Sequence, residues 1–370
     1  MHHFIFPTKD SWISSGSNKV TGVTESDQNF GQDPILEIKK FFYNSSFDYP
    51  TRALIDFTGT DFTSLSSSIS SGDITSPKFY LRLYEAEGNA ELSETYTLSG
   101  QPLNSAWTEG RGKFGDNPKV TDGVSWTYSA NPDGGTSKSW VIPGGGGGGS
   151  VYTNVQASQS FSSETPDIEM NVTDIVNNWL DGTNSNFGFL LGFSGSQETD
   201  TGSYGHLKFF SKDTHTIYAP KLEVRWDNHI ACSGSNTGSL NQITMSGAAD
   251  NYLYMKNLKE SYKETDKVKI RVGARKQYIQ KNFSTSVQTA SGSFIPEDSG
   301  SYSIVDIATG ETVIPFSDYT KLSCDSTSNY FIQWLNGFYP NRTYKILYKL
   351  KYDDGQEQIF DNDFEFIVRK

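Results

Sequence analysis

Glu109 sits between Trp107 and Gly110, and Trp126 and Trp140 follow in the same loop-rich stretch. Flat aromatic rings pair with the apolar faces of pyranose sugars, so Trp107, Trp126 and Trp140 with Glu109 form a candidate glycan-binding group. The plainer role for the tryptophans is to pin long loops to a core. The plainer role for Glu109 is to accept backbone N–H bonds in a turn. Glycan hydrolysis would require two carboxylates facing one cleft. With 43 acidic residues in the chain, pairs arise anywhere and carry no signal by themselves.

Other chemistry is thin. His206, His215 and His229 lie in strand or turn contexts without a nucleophile motif, and no Gly-x-Ser-x-Gly elbow is present. Neither His-Glu-x-x-His nor Cys-x-x-Cys occurs, so no zinc site is expected. Asp353-Asp-Gly355 and Asp361-Asn-Asp363 offer oxygens without the spacing of a calcium loop; they read as a solvated hairpin turn and a polar strand start. The chain reads as non-enzymatic, with no metal and no cofactor. Cys232 and Cys324 are too few for a disulfide framework; they read as ordinary thiols, with a single bridge left open.

The elements that would carry these residues are mostly strands. Aromatic content is 14%, with 20 Tyr and 24 Phe, which favours short strands joined by turns. Phe79, Leu81 and Leu83 alternate with Tyr80, Arg82 and Tyr84, and Leu222, Val224 and Trp226 with Lys221, Glu223 and Arg225. Each pattern has one core face and one polar face. Turns are marked by Asn29-Phe-Gly31, Gly72-Asp73, the Asn-Pro pairs at 117–118 and 131–132, and the Asp-Gly-Gly at 133–135. One helix stands out: Val172, Ile175, Val176, Trp179 and Leu180 make an apolar stripe, with Asn171 as cap, Asp174 in the first turn and Gly182 as stop. Gly144 to Gly149 are six consecutive glycines, read as a flexible surface loop, the alternative being a contact that needs close backbone approach. A domain boundary is expected near 227, giving domains 1–227 and 228–370. In the second, Tyr344, Tyr348 and Tyr352 alternate with Lys345, Lys349 and Lys351, a candidate docking face.

The net charge of −12 disfavours nucleic acid and anionic membrane surfaces as partners. No apolar run is long enough to span a membrane. The opening residues lack the basic region and apolar core of a signal peptide, so cytoplasmic synthesis is expected.

A series of motifs in residues 7–226 resembles the DNRLRE-type family of carbohydrate-binding-module-like β-sandwiches. It comprises Asp10-Ser-Trp-Ile13, Asn29-Phe-Gly31, Arg52-Ala-Leu-Ile-Asp-Phe57, Trp107-Thr-Glu-Gly110, Val172-Thr-Asp-Ile-Val176 with Trp179 and Gly182, Asn186-Phe-Gly188, and Ala219-Pro-Lys-Leu-Glu-Val224. The resemblance implies a jelly-roll-like sandwich. Residues 228–370 resemble a module of structural proteins in tailed bacteriophages, marine T4-like phages among them. The stretches that carry this are Ile314-Pro-Phe316, Lys321-Leu-Ser-Cys-Asp-Ser-Thr-Ser-Asn-Tyr-Phe331, Trp334-Leu-Asn-Gly-Phe338, Tyr344-Lys-Ile346 and Ile359-Phe-Asp-Asn362. The expectation is therefore an all-β chain: a jelly-roll-like β-sandwich with one short helix, then an immunoglobulin-like β-sandwich. The role implied is a virion structural protein of tail, neck or baseplate, docked to other virion proteins in a symmetric multi-copy assembly. A carbohydrate-binding adhesin for host surface glycans is the alternative. A glycan-degrading enzyme using Glu109 ranks behind both.

Overall fold

A computed structural model describes the chain apart from residues 17–23, 44–45, 49, 88–94, 133–134, 163–166, 203, 247–249, 279–282, 284 and 287–291. The expected turn at 133–135 thus lies mostly outside the described residues. The protein is all-β, built from sandwiched sheets with few helices. It divides into two compact units, Phe4–Val224 and Arg225–Lys370, the latter joined by Met1–His3. The sequence places its boundary after residue 227.

In the first unit, one sheet runs Ala157–Ser162, Thr95–Pro102, Phe189–Phe193, Thr51–Asp56, Lys9–Ser14, with antiparallel neighbours throughout. Another contains Lys221–Arg225, Lys78–Leu83 and Ile168–Asn171, and a third pairs Ile35–Tyr43 with Gly205–Phe210. Alternation sets the faces: Phe79, Leu81 and Leu83 are buried while Tyr80 and Arg82 are half-buried. The strand Lys221–Arg225 departs from the two-faced expectation. Its polar residues Lys221 and Glu223 are buried as well, because Arg82 pairs with Glu223 at 3.3 Å and Tyr84 lies beneath the Lys221 ammonium at 5.3 Å. A buried charge is tolerated only with such partners.

The expected helix forms over Thr173–Leu180 and buries Ile175, Val176 and Trp179. Asn171 Oδ1 accepts the Thr173 N–H at 3.1 Å, and Gly182 takes φ 79°. A longer helix, Thr60–Ser70, and a short one, Gly195–Thr199, were not expected. Thr60–Ser70 buries only Leu65 and has no apolar stripe to announce it. Its Ser and Thr hydroxyls donate back to carbonyls four residues earlier, as Ser64 does to Thr60 O at 2.9 Å and Ser67 to Thr63 O at 3.0 Å.

The second unit packs two sheets face to face. One is ordered Asn241–Gln242, Ser293–Phe294, Lys267–Lys276, Ser328–Trp334, Ser323–Asp325, with Asn251–Met255 also on Lys267–Lys276. The other runs Ser261–Lys263, Glu357–Arg369, Arg342–Lys351, Gly300–Asp306, Thr312–Ile314. Ile270, Val272 and Phe331 from the first meet Tyr302, Ile346 and Tyr348 from the second. The Tyr302 and Phe331 rings stack at 3.8 Å. Cys232 and Cys324 are joined in a disulfide beside Phe294, which corrects the reading of two ordinary thiols. The strand alternation said nothing about the pairing, since 92 residues separate the two positions.

Candidate binding groove of the first unit

The sequence-predicted residues separate into different roles. Trp107 is 4% exposed and Trp140 5%, both in a cluster with Ile13, Leu54, Val124 and Leu190. Their indole N–H groups donate to Phe187 O at 2.9 Å and Ser125 O at 2.8 Å. They pin loops to the sheet, the plainer of the two roles, and the candidate three-tryptophan stacking platform does not form. Trp126 is half-buried, with the Arg52 guanidinium 5.0 Å from its ring.

Glu109 takes the plainer role. Its Oε1 accepts the Asp10 N–H at 2.9 Å and meets the Lys212 ammonium at 3.1 Å. The Trp107–Gly110 loop is tied to the Asn29-Phe-Gly31 turn by buried Asn29, whose Nδ2 donates to Glu109 O at 2.6 Å and Val124 O at 2.9 Å. Two of the family-like motifs are therefore one structural knot. Asp10, Glu109 and Asp213 bring carboxylate oxygens within 4.8 Å of one another. The cation among them is Lys212, which also meets Asp213 at 3.0 Å. Burial pushes the Asp10 carboxyl up to about 8, and burial also raises Glu109.

The docking face expected from Tyr344, Tyr348 and Tyr352 is corrected too. All three are buried in the second unit's core, Tyr348 at 0% exposure. Burial raises the Tyr344 and Tyr348 hydroxyls well above the usual phenol range. The lysines take the outer face, where Lys345 pairs with Asp361 at 2.7 Å and Lys349 with Glu357 at 3.1 Å. Asp353-Asp-Gly355 is the hairpin turn between those strands, while Asp361-Asn-Asp363 lies within Glu357–Arg369 instead of at a strand start. His206 pairs with Glu37 at 2.9 Å and His229 with Glu297 at 2.5 Å.

A groove that no sequence motif marks lies on the outer face of the five-stranded sheet. Thr97, Ser99 and Gln101 alternate outward along Thr95–Pro102, while Tyr96, Leu98 and Pro102 are buried. Ser158 and Gln156 add to one side; Leu190, Gly192 and Phe193 form part of the floor. The cavity volume is about 400 Å³. Arg52 crosses Gly192, where a Cβ would stand 3.3 Å from Arg52 Cγ. Its guanidinium is fixed from both ends: Nε and Nη2 hold Glu198 at 2.9 and 2.5 Å, and Nη1 donates to Gly144 O at 2.7 Å. A bidentate pair of this kind is geometrically specific and largely self-neutralising.

The glycine run supplies the rim. Gly144 takes φ 83° and donates its N–H to Trp126 O at 2.6 Å. A Cβ there would stand 2.6 Å from the Trp126 ring, and one on Gly146 would overlap the Arg52 guanidinium. Gly144 to Gly146 thus make the close backbone approach that is the alternative reading of the run, while Gly147 to Gly149 are exposed, as expected of a surface loop. What the groove presents is a set of neutral hydroxyl and amide groups over an apolar floor, with one compensated ion pair. That set suits an uncharged, polyhydroxylated ligand. Among the described lining residues Glu198 is the sole carboxylate, and Arg52 holds it bidentately, so the groove has no acid–base pair.

No protein-family model matches the chain, and no curated protein matches it in sequence. Among solved structures it is similar to a β-glucuronidase of Parabacteroides merdae with glycerol in its active site, at 9% identity and TM-score 0.20, over 80% of this chain and 28% of that one. It is also similar to the apo β-glucuronidase 3 of Bacteroides uniformis, at 10% identity and TM-score 0.17, over 79% and 27%. The chain spans less than a third of those enzymes' length, and at these scores the likeness bears on neither fold nor activity.

Proposed function

We propose that this chain is a non-enzymatic binding protein of a tailed-bacteriophage virion, a tail, neck or baseplate component docked to other virion proteins, whose first unit recognises surface glycans. The groove is the observation that carries the binding part. Thr97, Ser99, Gln101, Gln156 and Ser158 offer donors and acceptors matched to sugar hydroxyls, and the bidentate Arg52–Glu198 pair keeps the floor rigid and charge-compensated. The virion setting rests on the motif series in both halves of the chain. The Cys232–Cys324 bridge agrees with a protein made in the host cytoplasm that then works outside the cell, since disulfides persist in oxidising surroundings.

Two measurements test this. Mass spectrometry of density-purified particles should recover peptides from both units at a fixed copy number relative to known structural proteins; their absence from the particles would sink the virion assignment. On a neutral-glycan array, the purified chain should retain a defined subset of sugars. Gln101→Ala with Gln156→Ala should weaken that retention roughly 25-fold, at about 1 kcal/mol per lost hydrogen bond. Equal retention by the double variant would remove the groove from consideration.

A further inference from the structure

The second unit carries a row of cations on a chain whose overall charge is −12. Along Lys267–Lys276, Val268, Ile270, Val272 and Ala274 fill the core, so Lys267, Lys269, Arg271, Gly273 and Arg275 share the outer face. At a rise of about 3.3 Å per residue the row from Lys267 to Arg275 is roughly 26 Å long. Register sets an aromatic ring against most of these cations. Trp334 stands opposite Lys267, Tyr330 opposite Arg271, Tyr254 opposite Gly273 and Tyr252 opposite Arg275. The Lys267 ammonium lies 4.9 Å from the Trp334 ring, Lys269 3.6 Å from Tyr330, and the Arg275 guanidinium 4.4 Å from Tyr252. Such ring contacts hold long cationic side chains in place on a sheet. Among the described residues, Asp325 is the one carboxylate in ion-pair reach of the row, shared by Lys269 at 3.0 Å and Arg271 at 2.7 Å.

The row ends in a pair of aromatic rings. The Tyr252 and Tyr254 rings are parallel to within 16°, with centroids 6.4 Å apart. Tyr254 lies across Gly273, where any Cβ would overlap its ring, and Tyr252 is 40% exposed.

We propose that this face binds an acidic polysaccharide, a polymer of uronate sugars whose carboxylates meet Lys267, Lys269, Arg271 and Arg275 while a pyranose face rests on Tyr252 and Tyr254. Charge complementarity selects a polyanion. Stacking along a nucleic acid uses a succession of open rings, and here Tyr330 is buried beneath the protein's own Lys269, which leaves the Tyr252–Tyr254 end alone for a flat ligand. The site lies in a different unit from the neutral-glycan groove and stands independently of it.

The test uses the full chain and polygalacturonate of defined length, with dextran and oligo(dT) as controls, by biolayer interferometry at 50 and 300 mM salt. Polygalacturonate should bind, dextran should not bind to this face, and added salt should weaken the complex because the contacts are exposed. Arg275→Gln with Tyr252→Ala should cost roughly 25-fold, about fivefold per contact. Lys267→Gln at the far end should cost about fivefold, a check that does not depend on the double variant folding. Gln101→Ala in the groove should change nothing here. Failure to bind polygalacturonate at low salt, equal affinity of folded variants, or tighter binding of oligo(dT) would each overturn the proposal. So would self-association that the same variants abolish while polygalacturonate binding stays unchanged.

Discussion

Replacing Asp10 by Asn should make the first unit more stable at alkaline pH than at acid pH, relative to wild type. Asp10 is 1% exposed, and burial is the largest cause that pushes its carboxyl from 3.8 to about 8. The Lys212 N–H, 2.6 Å from Oδ2, and the Lys212 charge pull downward; the Glu109 and Asp213 charges push further up. The sign follows directly. The folded state keeps the proton up to about pH 8, whereas the unfolded chain releases it near 3.8. Between those values the folded state binds more protons, so stability falls as pH rises across the window. Each tenfold change in proton affinity is worth about 1.4 kcal/mol, so the full cost of ionising this buried group is roughly 6 kcal/mol. Of that, about 3.5 kcal/mol accumulates between pH 5 and pH 8. Asn keeps an acceptor oxygen for the Lys212 N–H and carries no charge. Urea unfolding of both proteins at pH 5, 6, 7 and 8 reads the effect. The difference between Asp10→Asn and wild type should grow in the variant's favour by about 3.5 kcal/mol across that range. A difference that stays constant within about 1 kcal/mol would refute the reasoning, because the other titrating groups are common to both proteins.

Two further perturbations follow from burial and cross-linking. Trp107→Ala should destabilise the first unit by about 3–5 kcal/mol in urea unfolding, since it empties a core site and leaves Phe187 O without its donor; a folded variant of wild-type stability would mean that the ring is not a structural anchor. Reduction of Cys232–Cys324, or Cys232→Ser with Cys324→Ser, should cost the second unit about 2–5 kcal/mol, because the bridge closes a long loop. Thermal unfolding with and without reductant checks this, and identical transitions would show that the bridge does not form.

Local periodicity determined much of this protein. Alternation of Phe79, Leu81 and Leu83, and of Val268, Ile270 and Val272, wrote two-faced strands and hence an all-β chain. The stripe Val172, Ile175, Val176 and Trp179 wrote the helix at Thr173–Leu180. These signals are legible because side-chain direction repeats with period 2 in strands and 3.6 in helices. Thr60–Ser70 was illegible because its helix rests on hydroxyl back-bonding and one buried leucine. Period alone also leaves open which face is the inner one. Tyr344 and Tyr348 and their neighbouring lysines alternate equally well in either sense; the core of Ile270 and Phe331 decided that the tyrosines turn inward. The candidate sites depended on adjacency. Arg52, Gln101, Gly144 and Glu198 belong to segments spread over some 150 positions, and strand order with register brought them to one groove. The same holds for Trp334, Tyr330 and Tyr252 beside the Lys267–Arg275 row. Sequence patterns report what a residue's near neighbours do, while exposure, pairing and the joining of Cys232 to Cys324 are set by which distant strands pack together.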